Sequence, residues 1–94
     1  MKELLLHVIY RCKPGMAETF VNAVREQGIQ ELIRKENGCL QYDYTLSLEE
    51  ADTIVLLERW TSAEAQEIHM TQPHMVPLTE LKNTYVNEVI LERY

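Results

Sequence analysis

Residues 57–75 read L-E-R-W-T-S-A-E-A-Q-E-I-H-M-T-Q-P-H-M, and this stretch holds most of the chain's chemically suggestive side chains. The pattern predicts a strand that ends at Trp60 and a helix that begins at once, with Thr61 as its N-cap. The helix is expected to end near Met70, because the residue before Pro73 avoids the helical region of backbone space. A strand followed directly by a capped helix is therefore the unit around which we place the rest of the chain.

Working outward, apolar alternation and helical spacing recur on both sides of this unit. A helical pattern begins near Met16, and Gly28 interrupts it, which predicts a kink or break there. The element order is βαββαβ, the split βαβ arrangement of the ferredoxin-like α+β fold with a four-stranded antiparallel sheet. The first and third strands are apolar on both faces and should be central, whereas the second and fourth should be edges. The predicted strands span residues 3–12, 39–46, 53–60 and 85–93, and a short helix is predicted over residues 74–83.

One sheet face has no predicted cover. The helical segments can cover one face of a four-stranded sheet, yet the central strands are also apolar on the other. A bare apolar face of several hundred Å² is not stable in water. No predicted loop is long enough to fold over it, so we expect a homodimer with the sheets packed face to face.

Composition bounds the class of protein. The length predicts a single domain over residues 1–94. The formal net charge of −6 and the scattered basic residues argue against nucleic-acid binding. No apolar run approaches the roughly 18 residues of a membrane span, and no signal peptide is recognisable, so no membrane partner is expected. Cys12 and Cys39 form no disulfide framework, and a reducing cytoplasmic location is the simplest interpretation.

Two histidines are the first candidates for chemistry. At 100° per residue, His69 lies on the inward flank of its helix, near Ala65. A neutral histidine near pH 7 can act as a base or as a hydrogen-bond partner. A semi-buried histidine bonded to backbone is the alternative for His69. His74 either turns back towards the same cavity or lies exposed in a loop.

Four further side chains could contribute to binding. Trp60 either seals the end of the sheet or stacks against a substrate, and Glu58 shares its strand face. Glu58 is therefore part of a site or is paired with a nearby arginine. Tyr44 is expected to pack inside with a hydroxyl that needs a partner. His7 interrupts an apolar strand face, either in a dimer interface or in a pocket.

Several other chemistries are not indicated. The three glycines form no phosphate-binding loop and no dinucleotide fingerprint. Glu58, His69 and His74 could in principle form a two-histidine, one-carboxylate metal set. Their spacing is not a recognised ligand pattern, so no metal is predicted.

A pattern of spaced residues runs through the central stretch and is preceded by Glu36-Asn37-Gly38 before the second strand. The residues of this pattern are Glu58, Trp60, Ser62, Ala65, His69, Thr71, Pro73 and His74. In these residues the chain resembles the antibiotic biosynthesis monooxygenase superfamily of dimeric α+β barrels, including its small quinol monooxygenase-like and autoinducer-2-processing members. With the element order, the resemblance covers essentially the whole chain.

The resemblance implies oxygenation of a quinol, anthranol or similar small aromatic by O₂, without flavin, metal or haem. It makes His69 the base or hydrogen-bond partner and His74 a second polar group at the pocket mouth. Trp60 would be an aromatic wall, and Tyr44 a lesser candidate. The expected partners are the aromatic substrate, O₂ and a second copy of the chain.

Two alternatives stay open at this point. Relatives that degrade haem use an asparagine on the first strand, where this chain has His7, although Trp60 and a histidine remain. The other alternative is not an enzyme but a dimeric module that binds a small ligand on the same scaffold.

Overall fold

The computed structural model describes residues 2–94 and confirms the predicted order of strands and helical regions, with each helical region divided in two. The predicted interruption at Gly28 is confirmed, because this residue adopts a left-handed conformation between the first two helices. The elements are β1 (Leu4–Cys12), α1 (Ala17–Glu26), α2 (Ile29–Arg34), β2 (Cys39–Leu46), β3 (Thr53–Trp60), α3 (Ala63–His69), α4 (Met75–Tyr85) and β4 (Val86–Arg93).

The four strands form one antiparallel sheet in the order β2-β3-β1-β4. The predicted central positions of β1 and β3 and the edge positions of β2 and β4 are therefore confirmed. Leu6 of β1 lies opposite Glu58 of β3, which in turn lies opposite Tyr42 of β2. This register puts Glu58 in the middle of the sheet, on the same side as the buried tyrosines.

The core lies between this face of the sheet and the helices. In β1, alternate residues Leu4, Leu6, Val8 and Tyr10 are buried, because successive side chains point to opposite faces. Burying one such side chain contributes about 1.5–3 kcal/mol. The helices and the other strands add Phe20, Val24, Ile29, Ile33, Ile54, Leu56, Trp60 and Leu78, each at most 1% exposed.

The opposite face, here called the open face, carries a half-exposed apolar strip flanked by charges. His7 of β1 lies on this face and points away from the core. Ion pairs between neighbouring strands, such as Arg11 with Glu88, surround the strip. The apolar strip consists of Leu5, Ile9, Val55, Leu57 and Ile90.

Two local expectations were wrong. The N-cap of α3 is Ser62, whose side chain accepts a hydrogen bond from the backbone N–H of Ala65, and not Thr61. In β2, an irregularity between Cys39 and Gln41 breaks the predicted alternation. Leu40 is therefore exposed and does not share the buried face of the tyrosines.

Gly38 brings the start of β2 close to the start of α3. Its φ angle is +91°, which disfavours a side chain, and a Cβ there would lie 2.7 Å from the Ala65 Cβ and 2.8 Å from the Thr61 Oγ1. Only glycine therefore permits this close approach. The approach brings the preceding turn, with Glu36, near the end of α3. Among the helices of residues 2–94, none is both long enough and apolar enough to span a membrane.

Candidate functional site

Glu36, His69 and His74 meet at one end of the molecule, and we call them the Glu36–His69–His74 triad. Glu36 lies in the turn between α2 and β2, His69 ends α3, and His74 immediately precedes α4. Oε2 of Glu36 lies 2.9 Å from Nδ1 of His69 and 2.7 Å from Nε2 of His74. The His69 side chain is 2% exposed, and those of Glu36 and His74 are 10% and 14% exposed.

Successive turns between α3 and α4 return His74 to His69. The Gln72 N–H donates to the His69 carbonyl, and the Met75 N–H donates to the Gln72 carbonyl. The chain thus reverses within five residues, and Pro73 prevents α3 from continuing. The predicted inward position of His69 is therefore observed, and His74 turns back to the same point.

The carboxylate sets the tautomers of both imidazoles. An ionised carboxylate only accepts hydrogen bonds, so Nδ1 of His69 and Nε2 of His74 must each donate. In the neutral tautomer that this donation selects, the other ring nitrogen of His69, Nε2, carries the acceptor lone pair. Within residues 2–94 this nitrogen has no hydrogen-bond partner in the chain.

Trp60 connects the triad to the inside of the sheet. Its ring lies 4.6 Å from the His69 ring, centroid to centroid, with 36° between the planes. The Trp60 indole N–H donates to Oε1 of Glu58 at 3.1 Å. The Tyr42 ring lies 6.0 Å from His69 on another side. His69 is therefore held by aromatic rings and by one carboxylate.

Glu58, which is buried beside this aromatic contact, and the half-buried Lys82 are ionisable groups with shifted pKa values. Burial raises the pKa of Glu58 above its ordinary value, although the Trp60 hydrogen bond and the nearby His69 oppose this rise. Burial lowers the pKa of Lys82, and the charge of Glu58 opposes that effect. Nζ of Lys82 lies 5.6 Å from the centre of the Tyr10 ring, in the geometry of a cation–π contact.

Three tyrosines complete what we call the interior cluster, which comprises Glu58, Lys82, Tyr10, Tyr42 and Tyr44. Burial is the largest cause that raises the pKa of each tyrosine, to about 12 for Tyr44. Within residues 2–94, the buried Tyr44 hydroxyl has no hydrogen-bond partner. Strongly perturbed ionisable groups cluster at functional sites, and structural networks can perturb pKa values as well.

Five of the six residues singled out in the sequence lie together on the helix side. They are His69, His74, Trp60, Glu58 and Tyr44. His7 is separate, because it lies on the open face with Nδ1 3.4 Å from Oε1 of Glu92.

Sequence reasoning missed two residues of the site. Glu36 lies in a turn, where no periodicity indicates its direction, and it replaces Glu58 as the carboxylate that meets both histidines. The inward direction of Lys82 could have been predicted from the sequence. It follows Leu78 by four residues and therefore lies on the same helix face as this buried side chain.

A surface cleft of about 420 Å³ reaches the triad at Glu36, and neither His69 nor His74 lines it. Gln72 and two residues of the α3 N-terminal region, Ser62 and Ala65, also line this cleft. Glu36 is therefore the member of the triad that faces the cleft.

Comparisons with known proteins give a consistent result. No curated protein matches the chain in sequence. The family model for "Antibiotic biosynthesis monooxygenase" matches residues 4–77. This match covers every residue of the triad and Trp60.

Solved structures share the fold over nearly the whole chain. A Pseudomonas aeruginosa protein superposes with a TM-score of 0.86 at 23% identity, over 100% of this chain and 93% of that one. A candidate antibiotic biosynthesis monooxygenase from Nitrosomonas europaea superposes with a TM-score of 0.87 at 18% identity, over 98% of this chain and 88% of that one. A conserved protein from Bacteroides thetaiotaomicron superposes with a TM-score of 0.84 at 25% identity, over 98% of this chain and 95% of that one. The chain belongs to the antibiotic biosynthesis monooxygenase family.

Proposed function

We propose that the protein is a monooxygenase that uses O₂ to oxidise a small electron-rich aromatic, such as a quinol or an anthranol, without a cofactor. The observation that carries this proposal is the pairing of an oriented histidine with buried ionisable groups. Glu36 holds His69 so that Nε2 is an acceptor, Trp60 joins the His69 ring to the buried Glu58, and the charge of the half-buried Lys82 acts on Glu58. Family membership supports the same class of reaction.

In the proposed reaction, Nε2 of His69 removes a proton from a phenol or from an acidic ring carbon. The Glu36 carboxylate stabilises the imidazolium that forms, as an acidic partner does for other catalytic histidines. The Lys82 ammonium stabilises the substrate anion in surroundings where water is scarce. The protein thus supplies orientation, a base and a counter-charge.

The anion then reacts with O₂ directly. It transfers one electron to O₂, and the resulting radical and superoxide combine into a carbon-bound peroxide. The His69 imidazolium then returns its proton to the peroxide anion. For a ring CH₂ group, the hydroperoxide loses water and leaves a ring carbonyl. One substrate and one O₂ therefore give one ketone or quinone and one water, and no external reductant is consumed.

Oxygen uptake tests this proposal. Purified protein supplied with a panel of hydroquinones, naphthols and anthrones should consume O₂ faster than the same substrates oxidise alone. One atom of labelled oxygen should enter the product for each O₂ consumed. The His7→Gln variant should keep this activity, because His7 lies on the open face. Uptake that matches spontaneous oxidation for every substrate would contradict the proposal.

A non-catalytic ligand-binding module is a second candidate, and one observation favours it. The side chains around His69 are packed closely, with Trp60 fully buried and Tyr42 2% exposed. The His69 side chain is itself 2% exposed, so an aromatic substrate can lie against its ring only if some of these side chains move. Saturable binding of an aromatic without O₂ uptake would support this candidate, and a Soret shift on haem titration would instead indicate the haem-binding alternative.

We also propose that the protein is a homodimer whose copies pack through the open face. The apolar strip lies in its centre, and ion pairs such as Arg59 with Glu3 lie around it. An apolar centre with a polar rim is the usual anatomy of a protein interface. The substitution Leu57→Asp would put a charge in the centre of this strip.

The Leu57→Asp variant is expected to be monomeric in size-exclusion chromatography with light scattering, whereas the unaltered protein should be a dimer. Desolvating an unpaired carboxylate opposes association strongly. Thr19→Asp, an exposed change on α1, is the matched control and should remain dimeric. A monomeric unaltered protein, or a dimeric Leu57→Asp variant, would contradict this interface.

A further inference from the structure

We propose that the Glu36–His69–His74 triad is a binding site for a divalent transition-metal ion of the zinc or ferrous class. One ligand atom from each residue lies within 4.8 Å of the others. The three residues come from three separate segments of the chain, and their nitrogen and oxygen atoms converge on one point. This inference goes beyond the proposed function and does not depend on it.

The ligand types select the class of ion. Two imidazole nitrogens and one carboxylate oxygen are the protein ligands of many catalytic zinc sites and of non-haem ferrous sites. Magnesium and calcium prefer an all-oxygen set. The triad should therefore bind Zn²⁺, Co²⁺ or Fe²⁺ and discriminate against Mg²⁺ and Ca²⁺.

The distances require little movement for an ion to enter. Metal bonds to these ligands are about 2.0–2.2 Å long, so ligand atoms around a tetrahedral ion lie about 3.4 Å apart. The two nitrogen-to-oxygen distances are 2.9 and 2.7 Å, held by hydrogen bonds that the ion would replace. The site forms if the two nitrogen-to-oxygen distances open by about 0.5–0.7 Å and the two nitrogens, now within 4.8 Å of each other, come to the same separation of about 3.4 Å.

Burial and access also fit a metal site. His69 and Glu36 are largely shielded, which limits competition from water for their ligand atoms. Glu36 also lines the surface cleft, so an ion can enter from solvent and keep water in its remaining positions. Binding moves the proton of each imidazole from the nitrogen that faces Glu36 to the other ring nitrogen, and the charge of the ion offsets that of the carboxylate.

Occupancy would change what His69 can do. An ion on Nδ1 displaces the single ring proton of neutral His69 to Nε2, so this nitrogen becomes a donor and no longer a base. A loaded protein should therefore lose the proposed oxygenase activity, and a chelator should restore it. Metal binding itself is measured without substrate, so it can succeed or fail independently of the oxygenase proposal.

The direct test is calorimetric titration of the full chain, with any histidine tag removed and metals stripped by a chelator. We expect one Zn²⁺ per chain with a Kd of about micromolar or tighter, and no binding of Mg²⁺. Co²⁺ should give the visible absorption of a site with nitrogen and oxygen ligands and no thiolate charge-transfer band. Loss of a residue that only supports a metal ligand lowers metal affinity roughly 10–100-fold. Because Glu36 and His74 are themselves the proposed ligands, Glu36→Gln and His74→Ala should each weaken Zn²⁺ binding by more than this.

Two control variants separate the triad from other metal ligands. His7→Ala removes the one histidine outside the triad. Cys39→Ala removes a thiol whose pKa is raised by burial and by the nearby Glu36. Both controls should bind Zn²⁺ as the unaltered protein does.

Absence of Zn²⁺ binding at millimolar concentration, or equal binding in the triad variants, would overturn the proposal. Loss of binding in Cys39→Ala alone would also overturn it. If a triad variant fails to fold, anomalous diffraction from a zinc-soaked crystal of the unaltered protein decides the question. The expected peak lies between Glu36 and the two histidines, and a peak elsewhere or no peak contradicts the site.

Discussion

Replacement of His69 by alanine is expected to lower kcat by about 100- to 10,000-fold, the usual contribution of a general base. Nε2 of His69 is the proposed proton acceptor, and the ring is held by Glu36 at 2.9 Å and by Trp60 at 4.6 Å. Initial rates of O₂ uptake with the best substrate of the panel measure the effect.

The matched control is His74→Ala, which removes the second donor to Glu36 and leaves the proposed base in place. Its loss of activity should be clearly smaller than that of His69→Ala. Circular dichroism and thermal melting establish that both variants are folded at the assay temperature. If His69→Ala is folded and retains the kcat of the unaltered protein, His69 is not the base.

Replacement of Trp60 by alanine is expected to cause the largest loss of stability, about 3–5 kcal/mol of unfolding free energy. Trp60 is the largest of the fully buried side chains and packs at the end of β3. Its removal leaves a cavity, deprives Glu58 of a hydrogen-bond donor and removes the ring that contacts His69. Urea unfolding followed by circular dichroism measures the change.

Trp60→Phe separates the packing of the ring from its N–H group. It keeps an aromatic ring near His69 and removes the donor to Glu58, so we expect a loss of about 1–3 kcal/mol near neutral pH. Burial holds the pKa of Glu58 above its ordinary value of 4.5, and the indole N–H opposes this rise. Without the indole N–H, the pKa of Glu58 in the folded state rises further.

The loss of unfolding free energy caused by Trp60→Phe should increase as the pH rises. A carboxyl group whose pKa is higher in the folded state stabilises the fold fully below the unfolded pKa, and this stabilisation is lost as pH rises through the folded pKa. The loss caused by Trp60→Phe should therefore be larger at about pH 7 than at about pH 4. An equal loss at both pH values would show that the Glu58–Trp60 hydrogen bond does not stabilise the charged carboxylate.

The fold was predictable because apolar alternation identifies strands and their central or edge positions. The double-sided apolar pattern of β1 and β3 correctly predicts that they are central. The N-cap of α3 and the register at the start of β2 were predicted wrongly, because backbone geometry and not apolar alternation decides them. Ser62 and not Thr61 caps α3, and an irregular register near Leu40 breaks the alternation of β2.

The site was predictable where regular periodicity applies. Helical phase placed His69 inward, and strand alternation placed Glu58 and Trp60 on one face. Glu36 was missed as a site residue because it lies in a turn, and its position depends on the close approach at Gly38. The face on which His7 lies required knowledge of where the helices pack.

The most direct test of the proposed chemistry is the absorption spectrum of a naphthol bound to the protein in the absence of O₂. We predict that, at neutral pH, the unaltered protein shifts the spectrum to that of the naphtholate anion, whereas folded His69→Ala binds the neutral form. Admission of O₂ should then remove the naphtholate band as product forms. A bound naphthol that stays neutral on the unaltered protein, or an equal naphtholate band in His69→Ala, would contradict the assignment of His69 as the base.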